Sequence, residues 1–211
     1  MIPFENLLAF LAVSVLVTIA PGPDNLMVLG QSLARGRAAG FGLAVGCALG
    51  CFTHTLWATL GASAILLASP NAFMVLKLAG AAYLTWLGVN ALRSGTVAAA
   101  APNGNPELRW VRYVARGFIA NAINPKVALF FLAFLPQFAL PVYGAVELQM
   151  ILLGLVFAVQ TVIVFGTIAF AAGSIGRMLA RRPGFGPWLD RLAGVVFIGL
   201  AVNLLLSGRR G

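Results

Sequence analysis

Long stretches without a charged side chain are the strongest constraint on how this chain can fold. Of its 211 residues, 61% are hydrophobic and 9% are charged, and the mean hydropathy is +0.97. Soluble domains are about a quarter charged. A helix that crosses the hydrocarbon core of a bilayer needs about 20 mostly apolar residues. Most of the charge-free stretches are about this long, and they cover 6–23, 38–76, 78–92, 127–146, 148–176 and 192–208. We therefore predict an all-α membrane protein.

The charge-free stretches predict six transmembrane helices when charged residues are allowed near the helix ends. The predicted spans are 5–30, 40–66, 72–92, 112–135, 147–173 and 191–207. We expect one domain over 1–211, with a first half at 1–95 and a second half at 111–211. The segment 96–110 between them is rich in Ala, Pro, Gly and Asn, which is typical of a flexible linker.

The distribution of positive charge predicts the orientation of the chain in the membrane. The second and fourth loops carry no Lys or Arg, whereas cytoplasmic loops are usually enriched in both. We therefore predict cytoplasmic odd-numbered loops and an outside N-terminus, although Arg209 and Arg210 do not fit an outside C-terminus. Most of the positive residues behind the net charge of +9 lie in these loops, so we expect no nucleic-acid partner. The odd-numbered loops contain Arg35, Arg37, Arg93, Arg109, Arg112, Arg177, Arg181, Arg182 and Arg191.

Helix-breaking residues lie inside the first and fourth predicted spans. Pro21, Gly22 and Pro23 interrupt the first span, and Asn124 and Pro125 interrupt the fourth. Proline inside a helix removes a hydrogen bond, but it is tolerated at the first position of a new helix, after a residue such as Asn or Gly. Three spans per half force the halves into opposite orientations. The sequence thus predicts a 3+3 inverted repeat with broken first and fourth helices, as in many transporters.

A charged residue follows each predicted break, near the middle of the bilayer. At about 1.5 Å of rise per residue, Asp24 lies on the order of 16 Å from Arg35 along its helix. Lys126 lies roughly 15 Å from Arg116 by the same measure. Half of the hydrocarbon core is about 15 Å thick, so both charges fall near the midplane. A charge there costs about 2.5–3.5 kcal/mol, and we therefore expect it to have a structural or functional reason.

Two interpretations of Asp24 and Lys126 follow. In the structural one they form an ion pair, or Asp24 caps its own half-helix. In the functional one they bind a zwitterion: Lys126 and the half-helix N-termini attract a carboxylate, while Asp24 attracts an ammonium group or carries a proton. The neighbouring Asn25, Asn121 and Asn124 either hydrogen-bond the substrate or cap exposed main chain, and capping is favoured for Asn124, which precedes a proline.

Other polar and small residues on the second predicted helix allow further interpretations. Cys47, Cys51 and His54 share one face and suit soft metals, but the chain has no other Cys or His, and three ligands on one helix seldom enclose a metal. We therefore predict no metal site; His54 either relays protons or is a hydrogen-bonded structural residue. A repeated G-x-x-x-G indicates close helix packing within one subunit or in a homodimer. Its members are Gly42, Gly46 and Gly50.

Enzymatic function is not supported by the residues available. Covalent hydrolysis needs a nucleophile with a base, and metal-assisted hydrolysis needs a metal with its ligands. The chain has one His and five acidic residues, and it lacks a phosphate-binding glycine loop. We therefore expect no enzyme and no cofactor. A soft-metal exporter, another small-solute exporter or a channel of the same fold remain alternatives.

Three ordered stretches resemble the LysE/RhtB family of bacterial amino-acid exporters. They are PGPDNLMVLGQSLARGRAAGFGLAVGCALG at 21–50, LKLAGAAYLTWLGVNALRSG at 76–95 and ARGFIANAINPKVALFFLAFLPQF at 115–138. The resemblance implies a six-helix, multi-pass secondary transporter of the bacterial inner membrane. It implies export of amino acids or close derivatives, driven by the proton gradient. The family's signature positions in this sequence are Pro21, Gly22, Pro23, Asn124, Pro125 and Lys126.

Overall fold

The computed structural model describes residues 2–68, 70–93, 109–181 and 185–206. Within these ranges the secondary structure is entirely helical, as predicted. Most of the predicted linker 96–110 and the arginines Arg209 and Arg210 lie outside the described residues. The α-helices are α1 (Phe4–Ile19), α2 (Pro23–Arg35), α3 (Arg37–Ala68), α4 (Pro70–Arg93), α5 (Trp110–Ala122), α6 (Pro125–Ala133), α7 (Val146–Arg181) and α8 (Phe185–Leu206). Two short 3-10 helices follow α6, at Leu135–Phe138 and Pro141–Tyr143.

The first predicted span is broken into α1 and α2, whose axes differ by 58°. Helix α1 ends at Ile19, and α2 begins at Pro23 with Gly22 as its N-cap residue. Proline at the first position has no N–H to leave unsatisfied, so it starts α2 without a local cost. Helix α2 then ends at Arg35, and Gly36 follows as its C-cap residue with a φ of +84°, which favours glycine. The predicted break in the first span is confirmed.

The fourth predicted span is broken in the same way. Helix α5 and the segment Pro125–Phe138 that contains α6 are bent by 56°. Asn124 is the N-cap residue of α6, and its side-chain oxygen accepts a hydrogen bond of 3.0 Å from the main-chain N–H of Lys126. This contact satisfies one of the N–H groups left free at the start of a helix. The predicted break and the predicted capping role of Asn124 are both confirmed.

The described helices include several that can cross a bilayer. Three are long and apolar enough alone, within α3, α7 and α8, and the two bent pairs raise the number to five. The third predicted span corresponds to α4, which is not among them, so the six-span count and the inverted repeat stay predictions. Helix α7 has 36 residues. At about 1.5 Å of rise per residue it measures roughly 54 Å, more than the hydrocarbon thickness of about 30 Å.

The glycine stripe of α3 is used for packing within this chain. Helix α3 packs most extensively against α5 and α7. A Cβ atom on Gly46 would overlap main-chain atoms of Val114 and Gly117 on α5, and one on Gly50 would lie 2.8 Å from Asn121 Cβ. Small residues at this spacing allow the two backbones to approach. Of the two predicted uses of the stripe, packing within one subunit is the one observed, because α5 of the same chain covers this face.

We expect Gly46→Ala to lower the free energy of unfolding by about 1–3 kcal/mol, the usual cost of overpacking. The added methyl group would meet main-chain atoms of α5, which cannot rotate away as a side chain can. The melting temperature of the purified protein in detergent measures the effect. Gly61→Ala is the matched control on the same helix, because no atom lies within 4 Å of its Cβ position. Equal melting temperatures for the two variants would contradict the close α3–α5 contact.

Candidate functional site

A small internal cavity lies where the two helix breaks meet. Its volume is about 10 Å³, which is near the lower limit for one water molecule. The cavity therefore cannot hold a whole amino acid in this conformation. Its walls come from α1, α2, α5, α6 and α7. The side chains that line it are Val17, Thr18, Asp24, Asn121, Lys126, Val127, Phe157, Thr161 and Phe165.

Asp24 presents one carboxylate oxygen without a partner. The residue lies in the first turn of α2 and is 2% exposed. Its Oδ2 accepts a hydrogen bond of 2.8 Å from Asn121 Nδ2, whereas Oδ1 is buried and accepts none. The N-terminus of α2 favours a negative charge at this position. A buried acceptor without a partner costs about 1–3 kcal/mol, so Oδ1 is available to a ligand that donates a hydrogen bond.

Lys126 binds the C-terminal end of α1. The residue is 5% exposed, and its Nζ donates to the carbonyl oxygens of Val17 at 3.2 Å and Ala20 at 3.0 Å. The last carbonyl groups of a helix lack partners within the helix and carry a partial negative charge. Lys126 Nζ also lies 5.7 Å from the centroid of the Phe197 ring. The ammonium group is thus held by the C-terminus of α1 and by an aromatic face.

Neither form of the structural interpretation describes Asp24. The carboxylate is bound by the neutral amide of Asn121, and the hydrogen bonds of Lys126 Nζ go to main-chain carbonyl groups. Asp24 does not cap α2 either, because the N-cap residue is Gly22 and no side chain caps it. Two opposite charges thus line one cavity, and each uses a different partner. The physical reason is that the ends of the half-helices supply partial charges of both signs.

Asn25 and Gly22 shape the break of the first span. Asn25 Nδ2 donates to the carbonyl oxygens of Thr18 at 2.7 Å and Ile19 at 3.3 Å, so it caps the last turn of α1. A Cβ atom on Gly22 would lie 2.8 Å from Lys126 Nζ. Glycine is therefore the residue that lets the ammonium group approach the break. Pro21 precedes Gly22, and the unpartnered Oδ1 of Asn25 is also buried there.

His54 supports Asn121 and does not line the cavity. Its Nε2 lies 2.8 Å from the main-chain oxygen of Asn121, which can only accept, so Nε2 carries the hydrogen. Cys51 Sγ donates toward Asn121 Oδ1 at 3.6 Å. The same asparagine donates to Asp24. Asn121 therefore lies between His54 and Asp24, and His54 is a hydrogen-bonded support of Asn121.

The cysteines of α3 are buried and free. Within the part of the chain that the structure describes, no three side chains of the types His, Cys, Asp or Glu are arranged to hold a metal ion. Cys51 Sγ hydrogen-bonds the main chain of Cys47 at 3.3 Å, in addition to its contact with Asn121. These contacts are those of packed interior residues.

Three polar residues at the cavity were not predicted from the sequence. Thr18 and Thr161 line it, and Gln160 donates to both hydroxyl oxygens, at 2.8 Å and 3.1 Å. A signal was present, because Gln160 and Thr161 stand together in the middle of the charge-free stretch 148–176. Polar side chains in a membrane helix commonly face the protein interior.

We expect Asn124→Ala to lower the free energy of unfolding by about 0.5–2 kcal/mol, the usual cost of removing an N-cap side chain. The variant leaves the N–H of Lys126 without its acceptor at the start of α6. Asn124→Ser is the matched control, since a serine oxygen also caps helices well. Thermal unfolding in detergent measures both variants. A serine variant as unstable as the alanine variant would show that the cap is not the cause.

Comparison with known proteins agrees with the sequence motifs. A family model described as LysE type translocator matches residues 15–208. The chain is 30% identical over 194 residues to an uncharacterized membrane protein of Pseudomonas aeruginosa, covering 90% of each chain. It is 26% identical to a leucine efflux protein of Klebsiella pneumoniae over 94% of both chains, and 28% identical to a homoserine/homoserine lactone efflux protein of Salmonella typhimurium over 98% of both. No solved structure matches the chain. The family model covers most of the sequence and the described helices are apolar, so this multi-pass membrane protein belongs to the LysE type translocator family.

Proposed function

We propose that this protein is a secondary active exporter of amino acids or close derivatives in the bacterial inner membrane. One observation carries the proposal. Asp24 and Lys126 are buried in one cavity between two broken helices. Asp24 accepts from the amide of Asn121, and Lys126 donates to a main-chain carbonyl group, so the hydrogen bonds of each go to a neutral group. Relatives of similar length are named leucine efflux protein and homoserine/homoserine lactone efflux protein, which supports amino acids as the substrate class.

The two charges suit the two ends of a zwitterion. The free Oδ1 of Asp24 would accept from the substrate's ammonium group. The carboxylate would bind Lys126 Nζ, drawing it away from the carbonyl groups of α1, and the unpartnered Nδ2 of Asn124 is a further donor near the start of α6. In this structure the end of α1 holds Lys126 Nζ as a substrate carboxylate would. The cation is thus satisfied, while Asp24 Oδ1 is not.

Transport requires the cavity to enlarge and to open on each side in turn. Around the cavity, one cluster of large rings packs between α1, α6 and α7, and a second cluster of smaller side chains packs between α2, α3, α5 and α7. With the predicted topology the first faces outward and the second faces the cytoplasm. The rings are Phe10, Phe130, Phe131, Phe134 and Phe157, and the second cluster is Val28, Ala39, Leu43, Ala44, Cys47, Tyr113, Phe165 and Ala169.

The two helix breaks are the natural hinges for this motion. The segments Ala20–Gly22 and Ile123–Asn124 connect half-helices that already differ in direction by more than 50°. Rotation at these points would move α1 or α6 without unfolding either helix. Alternating access would then consist of separating one of the two clusters at a time around the fixed pair of charges.

We expect Asp24→Asn to abolish export driven by the proton gradient while the protein still inserts in the membrane. Asparagine keeps the size of the side chain but carries neither the negative charge nor a titratable proton. The measurement is efflux from cells loaded with a panel of amino acids, with and without an uncoupler. Asp190→Asn is the matched control, because Asp190 is a buried acid that does not line the cavity. Uncoupler-sensitive efflux by Asp24→Asn at the wild-type rate would remove Asp24 from the coupling step.

The same measurement on the wild-type protein tests the proposed substrate class. If well-expressed wild-type protein accelerates the efflux of no amino acid, that substrate class is contradicted.

We expect the double variant Asp24→Lys with Lys126→Asp to be inactive. The swap would place a carboxylate against the carbonyl groups of Val17 and Ala20 and an ammonium group at the N-terminus of α2, both opposite in sign to what the helix ends favour. The same efflux measurement tests it, with membrane abundance as the control for insertion. Full transport by the swapped protein would mean that only the presence of the two charges matters, and not their positions.

A further inference from the structure

One wall of the cavity carries two hydroxyl groups. Thr18 on α1 and Thr161 on α7 are 4% and 1% exposed, and both line the cavity together with Asp24. Along α7, Thr161 lies one turn from Phe157 and one turn from Phe165, so the two rings flank its hydroxyl group. The threonines are thus the polar part of a wall that is otherwise apolar.

Gln160 holds both hydroxyl oxygens by hydrogen bonds. Its Nε2 donates to Thr18 Oγ1 at 2.8 Å and to Thr161 Oγ1 at 3.1 Å. The hydroxyl hydrogen of Thr161 is already used, because it donates to the carbonyl oxygen of Phe157 at 2.8 Å. Toward the cavity the Thr161 oxygen can therefore only accept. Thr161 therefore presents an acceptor to the cavity, and Thr18 adds a second hydroxyl oxygen, which suits a ligand that donates hydrogen bonds.

We propose that Thr18 Oγ1, Thr161 Oγ1 and Asp24 Oδ1 together bind the ammonium group of the substrate. An ammonium group has three N–H donors, and the three residues that carry these oxygens all line the cavity. The carboxylate supplies the opposite charge, and the threonines complete the shell. Gln160 is a positioning residue that acts through the two hydroxyl groups. This inference rests on the proposed function and names residues for one end of the substrate.

The size of the cavity and the position of Lys126 both fit this assignment. A volume of about 10 Å³ suits one group the size of a water molecule, such as an ammonium group, before the site opens for the rest of the substrate. Lys126 Nζ uses a separate set of acceptors at the end of α1. The Oδ1 atom of Asp24 consequently remains open to a second cation.

The test uses the full-length protein in proteoliposomes, with L-leucine and L-homoserine as transported probes. Each probe is compared, by competition, with its 2-hydroxy acid analogue, which keeps the carboxylate and lacks the ammonium group. The variants are Thr161→Val, Thr18→Val and Gln160→Leu. The matched controls are Thr161→Ser, which keeps the hydroxyl group, and Thr167→Val, which removes an exposed hydroxyl on the same helix that also bonds the main chain.

We expect Thr161→Val and Thr18→Val to raise the half-saturation concentration about tenfold, the effect of losing one hydrogen bond to a charged group. The preference for the amino acid over its hydroxy acid should fall by the same factor, because only the amino acid uses this subsite. Gln160→Leu should lower that preference while leaving the maximal rate within about twofold. Both controls should keep the wild-type preference.

Several outcomes would overturn the inference. An unchanged preference in Thr161→Val and Thr18→Val would exclude the two hydroxyl groups from the ammonium subsite, even where transport itself is impaired. A requirement for Na⁺ that disappears in Thr161→Val, with the preference unchanged, would assign the oxygens to a sodium ion instead. If wild-type protein transports neither probe nor any amino acid of the efflux panel, the proposed function fails first. If wild-type transport is normal and only the preference test is negative, the proposed function stands and this subsite does not.

Discussion

The contact between the Lys126 ammonium group and the end of α1 is the interaction on which the rest of the site depends. Lys126 belongs to the second half of the chain, and the carbonyl groups that it binds, from Val17 and Ala20, belong to the first. It therefore joins the two broken helices across the interior. The contact also satisfies both groups, because a buried cation and the unpartnered carbonyl groups of a helix end would each be costly alone.

The acidic side of the site has a different kind of support. Asp24 is bound by Asn121, and Asn121 is in turn bound by His54, so three helices fix one carboxylate oxygen. The other oxygen has no partner. Unpartnered acceptors also occur on Asn25 and Gln160, on the helices around the same breaks. The open oxygen of Asp24 at the cavity suits a ligand that donates hydrogen bonds.

The packing of α3 is what allows this arrangement. Glycines on α3 bring α5 close enough for Asn121 to reach Asp24 on one side and His54 on the other. The stripe that indicated helix association in the sequence thus acts between helices of the same chain. It sets the position of α5, and α5 sets the geometry of the acid. A larger residue at Gly46 or Gly50 would act on the site through the main chain of its neighbour.

The sequence by itself determined that the chain is a helical membrane protein with two interrupted spans, and that an acid and a lysine follow the interruptions. These features are local: proline and glycine restrict the backbone where they stand, and a charge in an apolar stretch is visible without a partner. The resemblance to a transporter family was also legible, since its motifs are continuous in the chain. Only the tertiary structure decided that Lys126 binds the end of α1, that His54 supports Asn121, and that Gln160 bonds the two threonines that line the cavity. Such partners lie on different helices, far apart in sequence, and which groups meet depends on how closely the helices pack and in which direction each half-helix ends.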